Sequence, residues 1–484
     1  LGVSAGLVLP GWLSSCKKDE DPKPEIDYSG VVAIIGGGAA GLYAADILQA
    51  KGISVKIYEA SDRLGGRVRS LSLFDKPTQS LLFDPENLLS SDYPTDLGAD
   101  RILGSDSVLA NLISLQNIPF EEFSSGASQL YAIDGAMVDE TKAQADSDFA
   151  AAKAFFDNFH GYLGGNTTVA EAIQAAGLHE RMYDILNAWL GNKWGSNNTR
   201  LGATGVAESL RLLTRDTKEL LLTRNPMQNA LLSRFSGVTG TTTVELNTVI
   251  NTIDYRDGVT TTLTGTRVVN GATEPFSVDV NKVIVTVPVS VLKAGDISFV
   301  PALPSAKTKA LSNMGMDASM RVFLDFKQNF WGSSVDYLLG ASNGPEYFNT
   351  GIGRSADAKT LSVTVNGPKA AELSGLGKDV VPLLLSELDS FYAGKATHNV
   401  RVSATGEKIA VIQDWSKEPY IRGGASYLLP AGVNDDRIAL GAPINNRIFF
   451  AGEATDGTGD AGTVNGALLS GERAAQEVIT SITG

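Results

Sequence analysis

Five apolar residues, Val31 to Ile35, run directly into Gly36-Gly37-Gly38-Ala39-Ala40-Gly41. Glycines at 36, 38 and 41 follow the G-x-G-x-x-G spacing, and the chemistry that spacing serves is phosphate binding. The first glycine permits a tight turn, the second lets a pyrophosphate approach the backbone, and the third lets the following helix pack on the strand. A helix beginning at Ala39 and Ala40 would present free N–H groups and its positive dipole end to the phosphates. Glu59 lies 23 residues past Gly36, close to the separation of about 20 expected of an acid that accepts two ribose hydroxyls and disfavours a 2′-phosphate.

These residues need a strand-helix-strand unit to hold them. Residues 31–35 read as a buried parallel strand. Residues 39–51 read as a helix that Gly52 stops. Ile53, Val55 and Ile57 alternate as a second strand. Residues 106–224 read as mainly helical, including 140–156, 169–177 and 181–190, where Met182, Ile185, Leu186 and Leu190 share one face. From 241 to 300 the pattern changes to alternating Thr and Val over 241–253, 260–263 and 276–280. Asp257-Gly258 and Asn270-Gly271 punctuate this stretch as turns of a β-meander. Residues 283–288 and 447–453 return the chain to buried strands, and a helix starts at Thr463.

The 484 residues suffice for two or three structural units. A net charge of −14 without a basic stripe argues against nucleic acid as a partner. His160, His179 and His398 are scattered and there is one cysteine, so no metal site is expected. No G-x-S-x-G elbow appears. The cysteine, Cys16, follows an apolar stretch and two serines and precedes a charged, Pro-containing run. That order resembles the end of a bacterial lipoprotein signal. The expectation is a lipid anchor at Cys16 and a place in the cell envelope or periplasm; without such a signal the expectation is cytoplasmic.

Four blocks in order, the glycine turn among them, resemble the flavin-containing amine oxidase family, which includes monoamine, polyamine and L-amino-acid oxidases. They are the turn with Gly65-Gly66-Arg67, residues 283–304 (VIVTVPVSVLKAGDISFVPALP), residues 415–427 (WSKEPYIRGGASY) and residues 449–475 (FFAGEATDGTGDAGTVNGALLSGERAA). The resemblance implies an α/β (mixed α+β) chain with a Rossmann-type FAD-binding domain carrying a β-meander, a substrate-binding domain and a helical subdomain. The expected FAD-binding parts are 29–105, 225–305 and 440–484, after a signal remnant and linker at 1–28. The helical subdomain is expected at 106–224 and the substrate-binding domain at 306–439.

Carried over residue by residue, the resemblance gives FAD contacts from Gly36, Gly38, Ala39, Ala40, Gly41, Glu59, Ala60, Arg63, Gly66 and Arg67. It adds Gly98, Ala99 and Arg101 from the segment 97–102, Val249 in the meander, Trp415, and Gly452 and Glu453 at the last strand. Gly462, Thr463 and Val464 would aim backbone N–H groups at the flavin N1/O2 edge, where stabilised negative charge favours the reduced flavin. Arg67 can lie along the pyrophosphate as a charge-assisted donor. Three departures stand out. Where monoamine oxidases bond a cysteine to FAD, this chain reads Gly424-Ala425-Ser426, so FAD is expected to be noncovalent. The aromatic-cage positions fall at Ser426 and Thr463, with Tyr427 adjacent. Arg321 stands where the family usually has a lysine that holds a water near flavin N5, and it is the candidate catalytic residue.

Arg101 directs the substrate expectation. Residues 97–102, Leu-Gly-Ala-Asp-Arg-Ile, resemble the segment whose arginine pairs with the substrate α-carboxylate in L-amino-acid oxidases, a contact that suits a planar guanidinium. Tyr347 lies where those enzymes place a second, hydroxyl contact. The expected reaction is oxidative deamination of an L-amino acid by hydride transfer to flavin N5, yielding a 2-oxo acid, ammonia and, from molecular oxygen, hydrogen peroxide. Amine or polyamine oxidation on the same fold is the alternative, followed by a flavin-dependent dehydrogenase or desaturase. Oligomeric state is left open, a homodimer included.

Overall fold

A computed structural model describes residues 26–123, 128–240 and 244–484. Cys16 and the lipoprotein-signal reading lie outside the described residues, as do 241–243 of the first expected meander strand. The strand Val31–Ile35 pairs in parallel with Ser54–Tyr58 on one side and Lys282–Val285 on the other. Ile448–Phe450 and Val244–Glu245 complete a five-stranded parallel sheet. Three distant parts of the chain thus build one sheet, covered on both faces as its apolar strands require. On one face, Val32, Ile34, Ile284 and Phe449 join the core of the helices Ala39–Ala50 and Val464–Thr483. A Cβ at Gly471 would lie 2.4 Å from the Ala40 carbonyl oxygen, so the glycine is what lets these helices approach. On the other face, Ala33, Ile35, Val283 and Phe450 pack with Ile253, Leu263 and Phe276 of the meander.

The meander forms as its turn signals require. Thr248–Asp254, Thr261–Val269 and Ala272–Val280 run antiparallel. Asn270 and Gly271 take positive φ of 51° and 81°, the pair of left-handed residues that a two-residue hairpin needs. The last helix, expected from Thr463, runs over Val464–Thr483, and Thr463 is its N-cap, its side chain accepting from the Gly466 N–H.

Region 106–224 differs from its mainly helical expectation. Ser128–Ile133 and Ala136–Asp139 form a hairpin that joins the edge of an eight-stranded sheet. That sheet also holds Ser319–Asp325, Val335–Leu339, Glu346–Asn349, Thr360–Asn366, Ala410–Asp414 and Leu81–Leu82. Phe120–Glu122 and Glu219–Leu222 form a small sheet with Arg101–Leu103. Such short strands owe their conformation to pairing across the chain, which overrides local propensity. Within 181–190 the expected apolar residues are buried, but the helix is composite: Glu180–Met182 is 3₁₀, Tyr183–Leu186 is α and Asn187–Asn192 is π. The Gly191 N–H leaves the helix ladder for Asn198 Oδ1 at 2.9 Å. A π segment of this kind is a frequent companion of functional sites, and this one borders the cavity described below.

A Cβ at Gly41 would sit 2.2 Å from the Gly36 carbonyl oxygen, so strand and helix cannot part to admit it without breaking the turn. Gly41→Val is expected to cost about 1–3 kcal/mol of folding free energy, read as a lowered urea midpoint.

Candidate active site

A cavity of about 2310 Å³ runs from the glycine turn, past Arg67 and Gly98, to Tyr337 and Trp189. Of the expected cofactor residues, all but Gly41 line it; Gly41 serves the packing just described. At one end the turn is open. A Cβ on Gly38 would meet nothing within 4 Å, which leaves room for a group against the backbone. Glu59 follows the strand Ser54–Tyr58. One of its carboxylate oxygens accepts the Gly37 N–H at 2.6 Å. The other accepts the Ser61 N–H and hydroxyl at 2.8 and 2.7 Å. Oε2, which accepts one hydrogen bond, keeps a lone pair for a ribose hydroxyl. Ala60 and Val249 border the same end, and Arg63 donates to the Gly66 carbonyl at 2.8 Å.

The middle is organised by Glu453. Its Oε1 accepts Arg67 Nη1 at 2.7 Å and the Ser426 N–H at 3.2 Å. Its Oε2 accepts the Ser426 hydroxyl at 2.6 Å and the Gly462 N–H at 2.9 Å. Burial alone would raise the carboxyl's pKa, but Arg67 and Arg437 together hold it below the ordinary value. Arg67 also donates to the Gly424 carbonyl at 2.7 Å. The loop at 97–100 closes over this point: a Cβ at Gly98 would lie 1.9 Å from the Arg67 carbonyl oxygen, and Trp415 Nε1 donates to the Leu97 carbonyl at 3.1 Å. The hydroxyls of Ser426 and Thr463, expected to face substrate, are engaged internally: Ser426 with Glu453, and Thr463 with the Asp460 carbonyl at 2.7 Å. Tyr427 turns away, its hydroxyl donating to Asp317.

Arg321, Thr364 and Glu346 sit side by side across three strands and line the cavity. Arg321 donates to the Asp96 and Gly98 carbonyls at 3.1 and 2.6 Å and pairs with Asp100. Its guanidinium therefore fastens the 96–100 loop, and only the buried Nε lacks a hydrogen-bond partner. Burial would raise the Asp100 carboxyl; Arg321 and Arg101 instead bring it down to about 2.

The far end carries the substrate-facing candidates. Arg101 is surrounded: Nε lies 3.2 Å from Asp100, Nη2 3.1 Å from Glu346 and Nη1 3.9 Å from Glu219. It also donates to the Tyr337 hydroxyl and packs over the Phe348 ring at 5.1 Å. Burial would weaken its charged form, but Tyr337, Asp100, Glu346 and Glu219 more than offset this. Tyr347 does not reach the cavity, which corrects the expectation for it. In register, Tyr337 faces Phe348 and Leu338 faces Tyr347, so Tyr347 lies on the opposite face of the sheet. Its hydroxyl donates to Glu387 at 2.7 Å. Tyr337, Glu346, Glu219 and Asp336 occupy the end instead, together with Tyr131 and the π-segment residue Trp189. No spacing in the sequence marks these four. Asp336 is 3% exposed, accepts its neighbour's N–H and has no cation within 4 Å among the described residues; burial pushes its carboxyl up to about 6. Among the described residues no cluster of His, Cys, Asp or Glu could hold a metal ion.

The model of the flavin containing amine oxidoreductase family matches residues 39–176 and 148–479, and the chain belongs to that family. Polyamine oxidase 2 of Arabidopsis thaliana is 25% identical over 92% of this chain and 87% of its own length. Lysine-specific histone demethylase 1 homolog 3 of Arabidopsis thaliana is 25% identical over 96% of this chain. The chain spans only 30% of that protein and 59% of homolog 2. A putrescine oxidase bound to putrescine superposes with a TM-score of 0.75 at 19% identity, covering 93% of this chain and 99% of that chain. Cyclohexylamine oxidase from Brevibacterium oxydans IH-35A gives 0.73 at 19% identity, over 94% and 100%. The cofactor is FAD, and the open turn at Gly38, the acid at 59 and the helix start at 463–464 fit it. Cys16 is the only cysteine, so no described residue can form a cysteinyl link to it.

Because the space above Gly38 is free in the protein itself, Gly38→Val should leave the unliganded fold near wild-type stability. FAD affinity should fall more than tenfold through loss of close backbone approach, read by titrating apoprotein with FAD and following flavin fluorescence.

Proposed function

We propose that this enzyme oxidises cationic aliphatic amines, di- and polyamines in particular, rather than L-amino acids. The observation that carries this reading is the charge balance at the substrate end. Arg101, the group expected to meet an α-carboxylate, is enclosed by Asp100, Glu346 and Glu219; Arg321 and Lys193 also pair with Asp100 and Glu219, and with Asp336 the carboxylates still outnumber these three cations. An incoming carboxylate would have to displace a carboxylate already paired there, and would face the rest of an acidic lining. Asp336 and Glu140 border the same chamber. Opposite charge within a partly desolvated cavity favours an ammonium, while Tyr131, Trp189 and Tyr337 offer an apolar wall to a methylene chain. The resemblance to a polyamine oxidase along most of both chains supports the same reading.

In this reaction bound FAD would supply the acceptor for the hydride, which carries both electrons from the carbon beside the amine; the remaining proton leaves from nitrogen. The protein's part is placement. Arg321 ties the 96–100 loop down, and the acids hold a second ammonium away from the reacting nitrogen, which must arrive uncharged. The resulting imine takes up water to give an aldehyde and the released amine, or ammonia from a primary amine. Oxygen accepts two electrons and two protons to become hydrogen peroxide.

Purified holoenzyme should generate peroxide with putrescine or spermidine and show at most a trace with the standard L-amino acids. A preference for L-amino acids would return Arg101 to the carboxylate role and end this reading. A second expectation concerns pH. The Asp336 carboxyl titrates near 6, so its negative charge is present above that value and lost below it. The KM for a diamine should fall as pH rises through about 6. Asp336→Asn should remove that limb and raise the diamine KM by about tenfold, with little change for a monoamine of similar length.

A further inference from the structure

We infer that Arg437 is a positioning residue for the cofactor, acting through Ser426 and Glu453 from outside the cavity. Arg437 lies on the short helix Asn434–Gly441 and is 2% exposed. Among the described residues no carboxylate comes within ion-pair distance of it, and its Nε has no hydrogen-bond partner. A fully buried guanidinium is costly unless its charge is answered. The answer here is indirect. Nη1 donates to the Ser426 hydroxyl oxygen at 2.9 Å and to the Ala454 carbonyl at 3.2 Å, and Nη2 to the Ser426 carbonyl at 3.3 Å. The Ser426 hydroxyl in turn donates a hydrogen bond to Glu453 Oε2 at 2.6 Å. One carboxylate is therefore shared by two arginines: Arg67 directly, and Arg437 through a hydroxyl whose direction the arginine fixes.

Ser426, Glu453, Arg67 and Gly462 all border the cavity, whereas Arg437 does not. The remaining charge near Arg437, Asp456, is occupied with the Thr458 N–H and hydroxyl and the Asp460 N–H. Removing Arg437 would leave Glu453 with a single cation and Ser426 free to rotate. The wall that faces FAD would then become more negative without loss of any residue that touches it. Two properties depend on that charge. A dianionic diphosphate binds less well beside an under-compensated carboxylate. The reduced flavin, which gains negative charge, becomes harder to form.

The test uses the full-length protein with Arg437→Met and Arg437→Lys. Arg437→Met should raise the FAD dissociation constant about tenfold, equivalent to roughly 1.4 kcal/mol, and move the flavin midpoint potential to more negative values. Arg437→Lys, which keeps the charge, should recover most of the potential even where affinity stays reduced. Wild-type affinity and potential in Arg437→Met would overturn the inference, whatever happens to its melting temperature, because a purely structural arginine would alter stability alone. Should Arg437→Met fail to accumulate as folded protein, Ser426→Ala severs the same relay with the buried charge in place. It should weaken FAD binding and shift the potential in the same direction; no change in either would equally overturn the inference.

Discussion

The ion pair between Arg67 and Glu453 is the constraint on which the rest of the site depends. It joins positions 386 residues apart, and both ends are fixed by elements that cannot move independently. Arg67 follows the two glycines that cross back over the first turn, where Gly65 bonds to the Gly37 carbonyl at 2.9 Å. Glu453 follows the last strand of the parallel sheet. A carboxylate buried this deeply must be matched by donors, and the four that converge on it come from residues 67, 426 and 462. Satisfying one acid thus draws the glycine turn, the 424–426 segment and the C-terminal helix start to a common wall.

That wall and the opposite end of the cavity carry contrasting charge. Around Glu453 arginines outnumber the acid they share, and the helix N-terminus adds its positive end, a setting for phosphates and for negative charge on a flavin. Around Arg101 the carboxylates of Asp100, Glu219, Glu346 and Asp336 outnumber the cations Arg101, Arg321 and Lys193, the balance on which the proposed preference for an ammonium rests. The two regions are separated by the 96–100 loop, which Arg321 and Trp415 hold from the other side. Arg321, the expected catalytic residue, has its hydrogen bonds committed to fastening this loop.

The FAD-binding framework was legible because its signals are local. Glycines with a required backbone geometry, an Asn270-Gly271 turn and a helix start at Thr463 each declare their structure within a few residues. The substrate end was not, because its meaning lies in pairing. Arg101 could be picked out as a type, but the acids that neutralise it arrive from positions 219 and 346, on strands with no mark of being neighbours. Tyr347 shows the same limit at finer scale. One position of register separates its face from that of Tyr337 and Phe348, and register belongs to the folded sheet. The hairpin at 128–139 carried a turn signal in Asp134-Gly135, yet its strands gain their conformation only by adding to a sheet built mainly from residues beyond 318.

The most direct measurement of the central claim is the thermal shift that FAD produces in apoprotein, compared between wild type and Glu453→Gln. A ligand that binds only the folded form raises its melting temperature according to its affinity. If the Arg67–Glu453 pair organises the cofactor wall, saturating FAD should raise the wild-type melting temperature clearly and the Glu453→Gln temperature little or not at all. An equal shift in both proteins would show that the pair serves the fold alone and would contradict the account.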